Sequence, residues 1–275
     1  MIIVVQCVDQ VGLVAAISSV IAGEGLSILG LREYVDQAEG LFFARLEVEP
    51  HSDLAELKKK LERVLPQAAV VKINPNPQKE IVVLVTKEHH CLSDLLVRNH
   101  YQTIGATIKA VVGNHADLKD ICDRFGVPFH LVSSDAIAQE DFEAELLAII
   151  QKYQPEYLVL AKFMRILSPR FVEHFSERII NIHHSFLPAF VGSQPYLRAH
   201  QRGVKLIGAT AHFVTQDLDA GPIIAQQTIA VNHAMSVKEM IKSGREIETS
   251  VLSKALQLVF ESRVFIFKNR TVVFD

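Results

Sequence analysis

Asn74-Pro-Asn-Pro-Gln-Lys79 holds two prolines and no apolar residue, and the hydrophobic period changes on crossing it. Before it, short alternating strands and two helical faces follow each other closely. After it, apolar runs alternate regularly with helical segments, the grammar of a mostly parallel sheet. A chain of 275 residues is also long for one core. We therefore read two α/β domains, residues 1–74 and 80–275, joined by a linker at 75–79.

In the first segment residues 1–8 form an apolar inner strand, and Asp9-Gln-Val-Gly12 breaks it. Leu13, Ala16, Ile17, Val20 and Ile21 then mark one face of a helix that Gly23 and Gly25 end. Ser27 to Asp36 is extended, and Gln37-Ala-Glu-Gly40 turns the chain. Phe42, Ala44, Leu46 and Val48 alternate with Phe43, Arg45, Glu47 and Glu49, a strand with one buried face. Ser52 or Asp53 caps a second helix with Leu54, Leu57, Leu61 and Leu65 inward, and Ala68 to Ile73 is a fourth strand. The order β-α-β-β-α-β is ferredoxin-like.

In the second segment strands are predicted at Ile81–Val85, Ile108–Gly113, Phe129–Val132, Tyr157–Ala161, Ile179–Ile182, Lys205–Phe213 and Ile223–Val231. Helices are predicted at Cys91–Arg98, Asp117–Phe125, Asp141–Tyr153 and Ser236–Phe260, with a closing hairpin at Val264–Phe267 and Thr271–Phe274.

Bulk properties exclude several classes of function. A formal charge of −3 makes no electrostatic case for nucleic acid or an anionic membrane. Three cysteines at unrelated spacings argue against a disulfide framework and for a reducing compartment. The opening Met-Ile-Ile-Val-Val reads as a strand without a basic leader, and no apolar run has the length of a membrane span. The expectation is a soluble cytoplasmic protein.

The first strand of the second segment runs into Thr86-Lys-Glu-His-His-Cys-Leu-Ser93, which has no glycine. A phosphate cradle needs close approach of backbone N–H groups, normally through glycine, so kinase and dehydrogenase readings fall away. His89/His90 and His183/His184 are poor metal chelates because adjacent side chains diverge, and no Cys or carboxylate completes either pair at ligand spacing. No metal is expected. Ser185 lacks a nucleophile elbow and reads as a loop serine. Cys91 near a helix start reads as a small buried hydrophobe rather than an activated thiol.

Asn181, His183 and Asp219 remain. The first two stand where a β-branched run gives way to a loop, the third in a Leu-Asp-Ala-Gly-Pro turn. Strand carboxyl ends are where open α/β sheets bind ligands. An amide, an imidazole and a carboxylate suffice to polarise a carbonyl and move a proton, so these three are expected to meet and act on an acyl group. Singly each has an innocent reading. The ordered series Asn-x-His-x-Ser-x-Leu-Pro, Gly-Ala-Thr-x-His-Phe-Val and Leu-Asp-x-Gly-Pro is far more specific.

With those motifs in place, residues 80–275 resemble the formyltransferase fold that uses 10-formyltetrahydrofolate, a Rossmann-like, mostly parallel sheet. The resemblance implies a catalytic triad of Asn181, His183 and Asp219. It places folate contacts at Phe163, Met164, Arg165, Ile166 and Leu167, within Ala161-Lys-Phe-Met-Arg-Ile-Leu-Ser-Pro169, and at Thr215, Gln216 and Leu218 in the following loop. Residues 1–74, with Asp9-Gln-Val-Gly-Leu-Val14, resemble an ACT domain. That likeness implies an amino-acid effector near Asp9, Gly12 and Leu13 and pairing of subunits into a homo-oligomer.

Within the formyltransferases, Lys87-Glu-His-His-Cys-Leu92 lacks the Gly-Ser-Asn-type loop that holds a ribose phosphate acceptor. No segment after Asp275 matches the added RNA-binding domain of the tRNA-modifying members. The ACT domain, His183-His-Ser-Phe-Leu-Pro-Ala-Phe190 and Gly244-Arg-Glu-Ile-Glu248 resemble the formyltetrahydrofolate deformylase family. Val191-Gly-Ser-Gln-Pro195 departs from it, since that family more often has lysine and then Gly-Ala there. The resemblance implies hydrolysis of the formyl-folate to formate and tetrahydrofolate without a cofactor, balancing the one-carbon folate pool and supplying formate for purine synthesis. Two alternatives stay open: transfer of the formyl group to an amine, and a non-catalytic amino-acid sensor that only binds folate.

Overall fold

The computed structural model describes residues 1–74, 78–133, 137–188 and 195–275. Pro75, Asn76 and Pro77 of the expected linker, and the family departure at Val191–Gln194, lie outside the described residues. The chain divides into two compact units, Met1–Pro77 with Glu261–Phe265 and Phe274–Asp275, and Gln78–Phe260 with Ile266–Val273.

The first unit has the element order β1 (Ile2–Val8), α1 (Leu13–Gly23), β2 (Ile28–Asp36), β3 (Leu41–Val48), α2 (Leu54–Val64) and β4 (Val70–Asn74). Its sheet has the order β2-β3-β1-β4, with the pairings of β1 to β3 and β4 and of β2 to β3 antiparallel. Ile3, Val5 and Cys7 of β1 and Phe42, Ala44, Leu46 and Val48 of β3 bury against Leu13, Ile17, Ile21, Leu57 and Leu61 of the two helices. The cap of α2 is Asp53, whose carboxylate accepts from Glu56 N at 2.9 Å. Phe265 belongs with this unit because its ring meets Phe43 edge-on at 5.5 Å, and Arg45 Nε donates to the Glu261 carbonyl at 3.0 Å.

The second unit is built on β5 (Lys79–Val85), α3 (His90–His100), β6 (Ala106–Gly113), α4 (Lys119–Arg124), β7 (Phe129–Leu131), α5 (Gln139–Tyr153) and β8 (Tyr157–Leu160). It continues with α6 (Pro169–His174), β9 (Ile179–His183), α7 (Pro195–Arg202), β10 (Leu206–Phe213), β11 (Ile223–Ala230), α8 (Val237–Phe260) and β13 (Arg270–Val273), while β12 (Val264–Phe267) is divided between the units at Phe265 and Ile266. The seven-stranded sheet has the order β11-β10-β9-β8-β5-β6-β7. Pairings from β9 through β7 are parallel, and β10 and β11 add antiparallel. Strand order reverses between β5 and β8, which opens a crevice at their carboxyl ends. Val82, Leu84, Leu158, Leu160 and Ile179 pack with Phe142, Leu146 and Ile150 of α5 and Phe171 of α6.

Two helices and two details depart from the sequence reading. The segment expected as one helix at Asp117–Phe125 opens with a 3-10 turn at Ala116–Leu118 before α4. Helix α6 was not anticipated, although Ser168-Pro169 carries its start: the Ser168 hydroxyl accepts from Phe171 N at 3.2 Å and proline takes the first turn. Helix α7 was also unanticipated, being short and rich in polar residues. Finally, β9 extends one residue past the expected Ile179–Ile182 to include His183, so His183 lies within the strand with Asn181 rather than just beyond it.

Candidate active site

Asn181 and His183 are two residues apart on β9, so both project to the same face. Asn181 stands opposite Leu160, the last residue of β8, on one side, and opposite His212 of β10 on the other. The chain leaving β8 and the chain leaving β10 both return across this face. Together they enclose a cleft of about 290 Å³. All three residues expected to be catalytic line it, as do Phe163, Met164, Arg165, Ile166, Leu167, Thr215, Gln216 and Leu218.

Gly221 makes the second loop possible. A Cβ there would fall 1.8 Å from the Phe213 carbonyl oxygen, so only glycine allows the chain to fold back on β10. That turn carries Asp219, itself in the left-handed region at φ 54, to His183. Asp219 Oδ1 lies 3.3 Å from His183 Nδ1 and 3.9 Å from His212 Nε2. Burial pushes the Asp219 carboxyl up, but the hydrogen bond and charge of His183 more than offset it, and the group titrates below its ordinary range. His183 is 6% exposed, and among the described residues its Nε2 has no hydrogen-bond partner. The imidazole thus turns Nδ1 to the carboxylate and leaves a buried Nε2 with its hydrogen-bonding capacity unused.

His212, absent from the sequence-based site, orients the amide. Burial pushes its imidazole pKa down, so the neutral ring is favoured. Its Nδ1 is 2.9 Å from the Phe213 carbonyl, which can only accept, so the proton sits on Nδ1. Nε2 is then an acceptor, and Asn181 Nδ2 donates to it at 3.2 Å. The second amide proton of Asn181 is left for the cleft.

Met164, Ile166 and Leu218 are 57, 66 and 58% exposed, a grouping of bare apolar side chains around polar groups. Such surfaces mark ligand sites. The loop beneath them is tied by side-chain hydrogen bonds. Met164 N donates to Thr86 Oγ1 at 2.9 Å and Gln139 Nε2 donates to the Ile166 carbonyl at 3.2 Å. Glu143 accepts from Ser168 N at 2.7 Å and from its hydroxyl. Arg165 lies over the Phe142 ring at 5.4 Å.

Lys162 and His184 also line the cleft and escaped the sequence reading. Lys162 is 8% exposed, at φ 63, and pairs with Glu248 of α8 at 3.2 Å. Burial, then the Lys162 charge, push His184 down to about 4, leaving it neutral. The expectation that no Cys or carboxylate completes a ligand set with His90 is corrected: His90, Cys91 and Glu248 each bring a ligand atom to within 4.8 Å of the others. Their chemistry does not suit a metal. Lys162 already supplies the cation at Glu248, and burial, then the Glu248 charge, push the Cys91 thiol up to about 12. All three cysteines are free and buried.

The residues expected to hold an effector lie in the first unit. Gly12 is the left-handed N-cap of α1 at φ 93, Leu13 is 3% exposed in the core, and Asp9 N donates to the Gly40 carbonyl at 2.8 Å.

Comparison with known proteins bears on this geometry. The profile described as Formyl transferase matches residues 79–256, and the profile described as ACT domain matches residues 1–66. The formyltetrahydrofolate deformylase of Escherichia coli (strain K12) is 46% identical over 267 residues, covering 97% of this chain and 95% of the relative. The chain belongs to the formyltetrahydrofolate deformylase family. A crystal structure of a formyltetrahydrofolate deformylase from Pseudomonas syringae pv. tomato str. DC3000 superposes with a TM-score of 0.94 at 36% identity, covering 100% of this chain and 94% of that one. Glycinamide ribonucleotide transformylase 1 from Symbiobacterium toebii matches with a TM-score of 0.69 at 29% identity, over 72% of this chain and 95% of its own. The deformylase family thus shares its larger part with a transferase and adds an ACT domain. Among the described residues, no helix is long and apolar enough to cross a membrane.

Proposed function

We propose that the protein hydrolyses 10-formyltetrahydrofolate to formate and tetrahydrofolate. The observation that carries this reading is a single cleft in which Asn181, His183 and Asp219 adjoin exposed Met164, Ile166 and Leu218. The apolar rim suits a flat pteridine, and the polar end suits a formyl group on the nitrogen beside it. A water oxygen bonds to the formyl carbon as one water proton passes to His183 Nε2, and charge develops on the formyl oxygen. The second amide proton of Asn181 meets that oxygen, a contribution of about 10²–10³ in rate for one such donor. The carbon–nitrogen bond then breaks, and His183 passes a proton from Nε2 to the leaving nitrogen. Asp219 fixes the tautomer and stabilises the imidazolium, with acid–base assistance worth roughly 10²–10⁴. No step calls for a cofactor or a metal.

In this reading residues 80–275 are the catalytic domain, which balances the one-carbon folate pool and supplies formate for purine synthesis. Residues 1–74 respond to an amino acid near Asp9, Gly12 and Leu13 in a cytoplasmic homo-oligomer. Incubating the protein with 10-formyltetrahydrofolate and no acceptor should release formate and tetrahydrofolate in equal amounts. Absence of formate above the enzyme-free rate, with or without added methionine or glycine, would sink the assignment.

A further inference from the structure

Lys162 and His184 line the cleft beside Asn181 and His183, and both lead back to one buried carboxylate. Lys162 Nζ stands 3.2 Å from Glu248 Oε2. The His184 ring lies 6.3 Å from the ring of Tyr196, whose hydroxyl donates to Glu248 Oε1 at 2.7 Å. His90 Nε2 reaches Glu248 Oε2 at 2.7 Å from α3. Behind it Arg245 pairs with Glu88 at 2.8 Å, and Glu88 stands 3.7 Å from His90 Nδ1. Glu248, Lys162 and Tyr196 are 1, 8 and 9% exposed, so these side chains occupy interior volume.

Their positions are tightly constrained. A Cβ on Gly244 would fall 2.1 Å from the Tyr196 hydroxyl oxygen, so the ring is seated directly on the backbone of α8. Burial pushes the Glu248 carboxyl up, but His90, Lys162 and Tyr196 together hold it down to about 2, so it stays an anion pinned between them. The backbone of Lys162 is itself in the left-handed region, the kind of strain that persists where surroundings over-determine a site.

This wall bears on which nucleophile reaches the formyl carbon. The cleft of about 290 Å³ is the one that must also hold the formyl-folate, and Lys162 and His184 stand on its wall beside Asn181 and His183. Water needs about 30 Å³. An amine acceptor brings carbon substituents that must lie somewhere behind its attacking nitrogen. We propose that the Lys162–Glu248–Tyr196 wall is the specificity determinant of this site, occupying the volume an amine's substituents would need and reserving the nucleophile position for water. The proposal rests on the deformylase reading and identifies what enforces it. In the disfavoured reaction the amine nitrogen bonds to the formyl carbon, the bond to the folate nitrogen breaks, and the amine proton passes to that nitrogen, giving a formamide and tetrahydrofolate.

The test incubates full-length wild type, Tyr196→Ala and Lys162→Ala with 10-formyltetrahydrofolate and glycinamide, measuring formate and N-formylglycinamide. Wild type should yield formate, with N-formylglycinamide at the enzyme-free level. Tyr196→Ala should raise the ratio of formylated amine to formate at least tenfold, and Lys162→Ala should raise it in the same direction. Tyr196→Phe keeps the volume and should keep the wild-type ratio. Circular dichroism identifies which variants are folded, and either folded truncation suffices. An unchanged ratio in the folded truncations, or equal formylation of glycinamide by wild type, overturns the proposal. Failure of wild type to release formate without glycinamide instead defeats the deformylase reading, so the two failures are distinct.

Discussion

His183 Nδ1 faces Asp219 Oδ1 at 3.3 Å, joining a strand of the parallel part of the sheet to the loop that follows an antiparallel one. The pair fixes the orientation of a ring that lines the cleft. Asp219→Asn preserves the shape but offers Nδ1 a neutral partner, losing the charge that stabilises the imidazolium. Formate release should fall by about 10²–10⁴ in kcat. Steady-state kinetics beside a thermal melt will check it, and near-normal kcat in a folded variant would remove Asp219 from the chemistry.

The Asn181–His212 contact predicts a graded series. Asn181→Ala removes the donor proposed for the formyl oxygen and should lower kcat by about 10²–10³ while changing KM only a few-fold. His212→Phe leaves the donor but not the acceptor that holds it, so kcat should fall by less than in Asn181→Ala. The double variant should be no worse than Asn181→Ala, because His212 acts through the amide. Additive losses would show that His212 touches the reacting atoms itself.

How far this site could be read in advance depends on whether its parts are continuous in the chain. The meeting of Asn181, His183 and Asp219 in one cleft was legible because each sits in an unbroken motif, and Phe163 to Leu167, which line the same cleft, are a single segment. The strand–helix alternation is equally local, so nearly every strand was placed within a residue or two. His212 also lay in a noticed motif, but its role depends on a cross-strand register with Asn181 that periodicity does not reveal. The Lys162–Glu248 pair was beyond reach. His90 and Glu248 are separated by 158 residues, and a glutamate on a long helix looks solvated until its helix is docked. The same distance hid the closeness of His90, Cys91 and Glu248.

Glu248 should make stability depend on acid pH. Its folded pKa is depressed to about 2 from an ordinary 4.5, so its contribution is present in full above pH 4.5 and is lost as pH falls toward 2. A shift of that size corresponds to roughly 3 kcal/mol at about 1.4 kcal/mol per pH unit. Glu248→Gln cannot titrate. The gap in melting temperature between wild type and Glu248→Gln should therefore be constant near neutrality and narrow between pH 4.5 and 2. A gap that is flat across that window would mean that Glu248 is not held as an anion. At neutral pH Glu248→Ala, which strands the Lys162 charge, should cost about 3–5 kcal/mol.

Two glycines separate conformational cost from steric cost. Gly25 closes α1 in the left-handed region at φ 71, with its N–H on the Ala22 carbonyl at 2.9 Å and Leu26 N on the Ile21 carbonyl at 3.2 Å. An added Cβ there meets nothing within 4 Å. Gly25→Ala should cost only the left-handed penalty, about 1 kcal/mol, with kcat unchanged. Gly221 is the opposite case, since its Cβ would stand 1.8 Å from a backbone oxygen and 2.9 Å from the carbonyl carbon of Phe213. No rotamer relieves a clash with the main chain, so the turn itself must move, and it carries Asp219. Gly221→Ala should lower stability by more than Gly25→Ala, about 1–3 kcal/mol or above, and should depress kcat with it. Denaturant melts and initial rates on both variants decide the matter. A folded Gly221→Ala with wild-type kcat would show that the turn can shift without moving the carboxylate from His183.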